Sequence, residues 1–158
     1  MRGWLLVLAA CSSTPAPLTG TGWRELGEDT LFHQDPRWLG ADAAYTIDLG
    51  GDRTLWLFGD TFIATSPADA RNESTMVHDS IAVMTGRDPA TATMQFAWHD
   101  ASPPDAYFSE DGANWFWPAD GARLPSGPLV VFLSEIAATP GQGPVSYTHL
   151  TLPTNREV

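Results

Sequence analysis

From Trp38 onward, apolar positions come in short runs separated by turn residues, at strand spacing rather than helix spacing. The most apolar run is LWLFGDTFIA, Leu55 to Ala64. Trp56, Phe58 and Phe62 share one side-chain parity; Leu55, Leu57 and Ile63 share the other. A strand apolar on both parities is expected to be covered on both faces. Asp60 interrupts it, and a buried carboxylate is costly unless paired, hydrogen-bonded or in use. Gly59 predicts a bulge that re-aims Asp60. The other reading is a turn aspartate bonding Thr61 and nearby backbone.

The neighbouring runs complete a set of strands. Gly40–Leu49 (GADAAYTIDL) is predicted as a strand, Gly50–Asp52 as its hairpin turn, and Arg53–Ala64 as the returning strand. A polar loop, TSPADARNEST, follows. Asp79–Gly86 and Ala92–Trp98 are predicted as the third and fourth strands. Gly22–Arg37 has no clear periodicity, and no amphipathic helix stands out. Four successive antiparallel strands are what one propeller blade needs. The pattern then restarts. WFWPADGARL echoes WLGADAAYTIDL, and GPLVVFLSEIAA echoes RTLWLFGDTFIA. Small residues at Gly40, Ala41, Ala43 and Ala44 suit a strand crowded near a propeller axis. A β-sandwich edge is the alternative.

Composition narrows the function classes. The chain carries a formal charge of −11 with no lysine, which argues against non-specific binding to nucleic acid or anionic lipid. The acids form either a solvated surface or, in part, a catalytic or sugar-binding cleft. The single cysteine, Cys11, excludes an intrachain disulfide. His33, His78 and His99 lack zinc-like spacing, so no metal site is expected, and no cofactor fingerprint is present.

Both ends read as something other than the folded domain. Arg2, the apolar Trp4–Leu8 and LAAC resemble a bacterial lipoprotein signal with its lipobox. The resemblance implies a signal peptide over 1–10, lipidation of Cys11, and a Ser/Thr/Pro/Gly tether over 11–22. The protein would then be held by a lipid anchor on the extracytoplasmic side of the bacterial envelope. At the other end, VSYTHLTLPT resembles a transposase-type sequencing adaptor translated in frame. Residues 144–158 are therefore expected to be foreign, and the domain, 23–143, to be truncated.

GADAAYTIDLGGDRTLWLFGDTFI, MVHDSIAVMTG, FWPADG and PLVVFLSEI together resemble the opening blades of five-bladed β-propellers related to arabinanase-like, furanose-cleaving glycoside hydrolases. The resemblance implies an all-β fold, here about one complete blade and part of a second. The whole protein would hydrolyse a polysaccharide or oligosaccharide, with this chain alone inactive. A non-catalytic glycan-binding or scaffolding propeller is the alternative.

It also implies an aspartate on the innermost first-blade strand, here Asp42, as general base or nucleophile. Asp60 and Glu135 are the further catalytic candidates. Two carboxyl groups flanking the glycosidic bond, one protonated and one ionised, are what that chemistry needs. Asp79, Asp120, Trp115, Trp117 and Arg71 are substrate-binding candidates, the tryptophans by stacking on sugar C–H faces. Each has a structural reading too: Asp79 and Asp120 as strand-end and turn residues, the tryptophans as core, Arg71 as a solvated loop cation.

Overall fold

A computed structural model describes residues 30–66, 70–108, 113–125 and 127–138, together with the backbone of 145–148. The chain is all-β. Its strands are β1 (Trp38–Ala41), β2 (Tyr45–Gly50), β3 (Arg53–Phe58), β4 (Thr61–Ile63), β5 (Thr75–Val77), β6 (Ser80–Thr85), β7 (Thr93–Ala97), β8 (Asn114–Arg123), β9 (Leu129–Ala137) and β10 (Val145–Thr148). One 3-10 turn, Arg71–Glu73, precedes β5.

β2, β3, β6 and β7 form a four-stranded antiparallel meander in chain order. The Gly50–Gly51–Asp52 turn joins β2 to β3 with all three residues at positive φ, which the two glycines take without a Cβ penalty. β1, β4 and β5 form a second antiparallel sheet. It continues the first: β4 resumes β3 after Gly59–Asp60, and β6 resumes β5 after His78–Asp79. The expected strands at 40–49 and 53–64 are thus each broken once. The segment expected to be a polar loop ends in a strand, since Thr75–Val77 pairs with β4.

The break is an ordered feature. The Asp42 N–H donates to Asp60 O, and the Gly59 N–H donates to Asp42 O, both at 2.9 Å. Two residues bonded to one is the arrangement of a β-bulge. Ala43, at φ 55°, takes up the difference on the other strand. Pairing is therefore in step on both sides, with Ala41 opposite Thr61 and Tyr45 opposite Leu57.

A buried polar chain holds the break from beneath. Trp38 Nε1 donates to Ser80 Oγ at 3.2 Å, the Ser80 and Thr61 hydroxyls lie 2.8 Å apart, and Thr61 Oγ1 donates to Gly59 O at 2.7 Å. An indole N–H only donates and a carbonyl only accepts. The Thr61 hydrogen is spent on Gly59, so the contact between the hydroxyls runs from Ser80 to Thr61. The GDT corner is therefore held by Thr61, not by the Asp60 side chain.

Both faces of β3 are covered, as its two apolar parities require. Phe58 and the partly buried Trp56 pack with Leu31, Trp38, Met84 and Met94; Phe32 and Phe96 border this cluster. Leu31 and Phe32 give the apparently unpatterned entry segment a core role. Leu55 and Leu57 pack on the other face with Ile47 and Ile81, against Leu129 and Val131 of β9.

β8 and β9 form the hairpin expected from the repeat, with β10 along the outer edge of β9. β10 falls inside the 144–158 tail. A sheet edge offers main-chain groups to any extended segment, so such pairing is tolerant of sequence. The signal peptide, Cys11 and the tether lie outside the described residues.

Candidate functional site

The break in the sheets aligns three polar residues. Ala41, Thr61 and Val77 face one another across β1, β4 and β5. Thr61 and Val77 are buried on the core side. The next row along, Asp42, Asp60 and His78, presents the opposite face by strand alternation. Asp60 Oδ1 lies 3.3 Å from His78 Nδ1 and accepts the Trp117 Nε1–H at 2.9 Å. His78 stacks on Trp115 with centroids 4.5 Å apart and planes 18° apart. Trp115 and Trp117 stand two residues apart on β8, so one strand supplies both aromatic supports.

Asp42 and Asp60 line a cleft of about 230 Å³ together with Tyr45, Gly59, Trp117, Pro118 and Ser134. Asp60 is a quarter exposed. Asp42 is exposed, and its carboxylate makes no hydrogen bond among the described residues. Gly59 sits against the Asp42 backbone and the Trp117 ring. Two carboxylates beside an indole and a phenol can hold and polarise a hydroxylated ligand.

A more open groove of about 460 Å³ lies between β2 and the end of β8. Its charged side chains are engaged within the fold: Asp48 accepts the Gly50 N–H, and Arg123 donates to Leu49 O. The chemistry is therefore assigned to the smaller cleft.

The other expected site residues lie elsewhere. Glu135 pairs in register with Phe116, whereas Trp117 pairs with Ser134. Alternation in the unbroken β9 turns Glu135 away from the cleft, and it accepts Asn114 Nδ2 at 2.6 Å. The repeat alignment misplaced it because Asp60 follows a bulge and Glu135 does not.

Asp79 is fully buried; its Oδ1 accepts the Phe108 N–H at 2.9 Å and ties down the 105–108 loop. A sealed carboxylate cannot touch substrate, so its substrate-binding assignment is corrected to a structural one. Asp120, at the irregularity in β8, accepts the N–H of Gly121 and does not line the cleft. Arg71 lies over the Phe62 ring at 4.2 Å, two residues along β4 from Asp60, and does not line the cleft.

His78, Tyr45 and Ser134 are site residues that sequence reasoning missed. The signal for His78 was its register: once β4 and β5 pair, it is the cross-strand neighbour of Asp60. Among the described residues, no group of three or more His, Cys, Asp or Glu side chains could hold a metal ion.

These features define an all-β antiparallel protein with an acidic, tryptophan-walled cleft at a break in its sheets. The chain belongs to the DUF5005 family, a domain of unknown function, whose profile matches residues 28–154. No curated protein matches it significantly. A solved structure from Bacteroides ovatus, described as "a putative hydrolase", is similar at 16% identity with a TM-score of 0.48. The likeness covers 82% of this chain and 42% of that one, so the chain spans about two-fifths of that protein.

Proposed function

We infer that this chain is part of an extracytoplasmic glycoside hydrolase built as a five-bladed propeller. In this reading the β2–β3–β6–β7 meander is one blade, and the Asp42–Asp60 cleft is part of the central cavity. The observation that supports it best is that these two carboxylates, from adjacent strands, share one small cleft with Trp117 and Tyr45. One carboxyl group would give a proton to the departing glycosidic oxygen. The other would take a proton from water as the water oxygen bonds the anomeric carbon and the C–O bond breaks. The aromatic walls suit the C–H faces of a sugar ring. The proposed substrate is a neutral polysaccharide, arabinofuranose-containing, and the proposed anchor is acylated Cys11.

The test is Asp42→Asn in the uninterrupted polypeptide that carries these residues, assayed on arabinan oligosaccharides. Loss of at least about a hundredfold in turnover is expected for a general acid or base; unchanged turnover overturns the reading. A non-catalytic glycan-binding propeller is the second reading, favoured by Glu135 facing away from the cleft. It predicts saturable oligosaccharide binding by the wild type with no turnover.

A further inference from the structure

We propose that His78 is the positioning residue of Asp60 and that, with Trp117, it leaves Asp60 a single proton-exchanging oxygen, Oδ2. The consequence for catalysis rests on the hydrolytic reading above; the geometry does not.

Both contacts fall on one oxygen. Asp60 Oδ1 accepts the Trp117 indole N–H and faces His78 Nδ1. An indole nitrogen is a donor only, so Oδ1 acts as an acceptor there. With Asp60 ionised, Oδ1 has no hydrogen to give, so the imidazole nitrogen facing it must itself carry hydrogen. Neutral His78 is therefore the Nδ1–H tautomer. The imidazole plane is fixed as well, by the stack on Trp115. His78 thus touches Asp60 at the β3–β4 corner by a polar contact and Trp115 of β8 by an aromatic one.

Oδ2 stands differently. It makes no hydrogen bond among the described residues, and Asp60 lines the cleft. With two donors aimed at Oδ1, a proton that Asp60 takes up or releases sits on Oδ2. Fixing the reacting oxygen matters because small misplacements of a catalytic group cost up to about a hundredfold in rate. Beneath, the Trp38–Ser80–Thr61 chain fixes the backbone of the same corner. Backbone and side chain of Asp60 are thus held independently.

The tautomer is read on the isotope-labelled 158-residue chain, by long-range nitrogen–proton correlation above the imidazole titration. The His78 signals are assigned by their loss in His78→Gln. Nδ1–H is expected in the wild type, with reversion toward Nε2–H in Asp60→Leu, which removes the acceptor. An Nε2–H wild type overturns the proposal. Trp117→Phe, which leaves the Asp60–His78 contact in place, is expected to keep Nδ1–H; a switch to Nε2–H there also counts against it.

The second arm uses the uninterrupted polypeptide and 4-nitrophenyl α-L-arabinofuranoside. His78→Leu is expected to lower kcat about tenfold to a hundredfold with KM within about twofold, and His78→Gln, which keeps a donor, to recover most of it. A change confined to KM overturns the positioning role. An inactive wild type with the Nδ1–H tautomer counts against the hydrolytic reading while upholding the Asp60 clamp.

Discussion

Trp117 donates its indole N–H to Asp60 Oδ1 at 2.9 Å across a sequence separation of 57 residues. This contact joins β8 to the corner after β3 and, beside His78, aims the Asp60 carboxylate at the cleft. Trp117→Phe keeps the ring and deletes the donor. Hydrogen bonds to a carboxylate are worth about 1.5–3 kcal/mol; this one is only part-buried, so a loss of about 1 kcal/mol is expected. Guanidinium unfolding at unchanged slope measures it, and a stability equal to wild type would show the contact to be incidental.

Asp42 and Asp79 separate function from stability. Asp42 is exposed and makes no side-chain hydrogen bond among the described residues, so Asp42→Asn should leave the unfolding midpoint unchanged while removing turnover. Asp79 is sealed and holds the Phe108 N–H, so Asp79→Ala should cost about 1–3 kcal/mol by leaving that donor unmet. A destabilised Asp42→Asn or a neutral Asp79→Ala would reverse the two assignments.

Thr61 is the middle of the buried chain from Trp38 to Gly59. Thr61→Val keeps the shape and removes the hydroxyl, stranding the Gly59 carbonyl and one Ser80 partner. A loss of about 1–3 kcal/mol is expected. Urea denaturation gives the value, and a neutral substitution would mean that the corner is held by other bonds.

Two glycines make opposite predictions. A Cβ on Gly121 would run into Ile47 Cδ1 and the Val130 carbonyl oxygen, where β8 lies on β2. Gly121→Ala should therefore cost about 1–3 kcal/mol as the sheets separate. A Cβ on Gly59 would meet the Asp42 backbone oxygen at 3.7 Å, an ordinary contact. Gly59→Ala should be neutral or stabilising by up to about 1 kcal/mol. Thermal unfolding of the pair in parallel tests both.

The proposed anchor has its own test. Metabolic labelling with a fatty acid in a bacterial host should mark the wild type, and Cys11→Ser should abolish the label and release the protein from the membrane fraction. Labelling that survives Cys11→Ser would sink the lipid anchor.

The strands were legible in the sequence because burial leaves a period-two record. The doubly apolar Leu55–Phe58 run already implied cover on two faces, and Gly59 already implied a bulge. Gly50, Gly51 and Asp52 marked the first hairpin for a local reason, positive φ. Membership of one cleft was not legible for most residues. Asp42 and Asp60 were nominated by strand position, but nothing in the local pattern tied His78 to Asp60. Their contact depends on the register between β4 and β5, across a loop whose length does not set pairing. Glu135 and Asp79 show the converse. Both are acids in apolar strands, and their one-dimensional pattern resembles that of Asp60. The in-step pairing of Glu135 with Phe116 beside Ser134 with Trp117 turns Glu135 away, and Asp79 is buried and bonded to the Phe108 N–H. The sequence by itself determined which segments are strands and which faces need cover, because those follow from spacing along the chain. The tertiary structure decided which carboxylates meet solvent, tryptophan and histidine, because that follows from bulges and register, where one residue's shift exchanges the two faces of a strand.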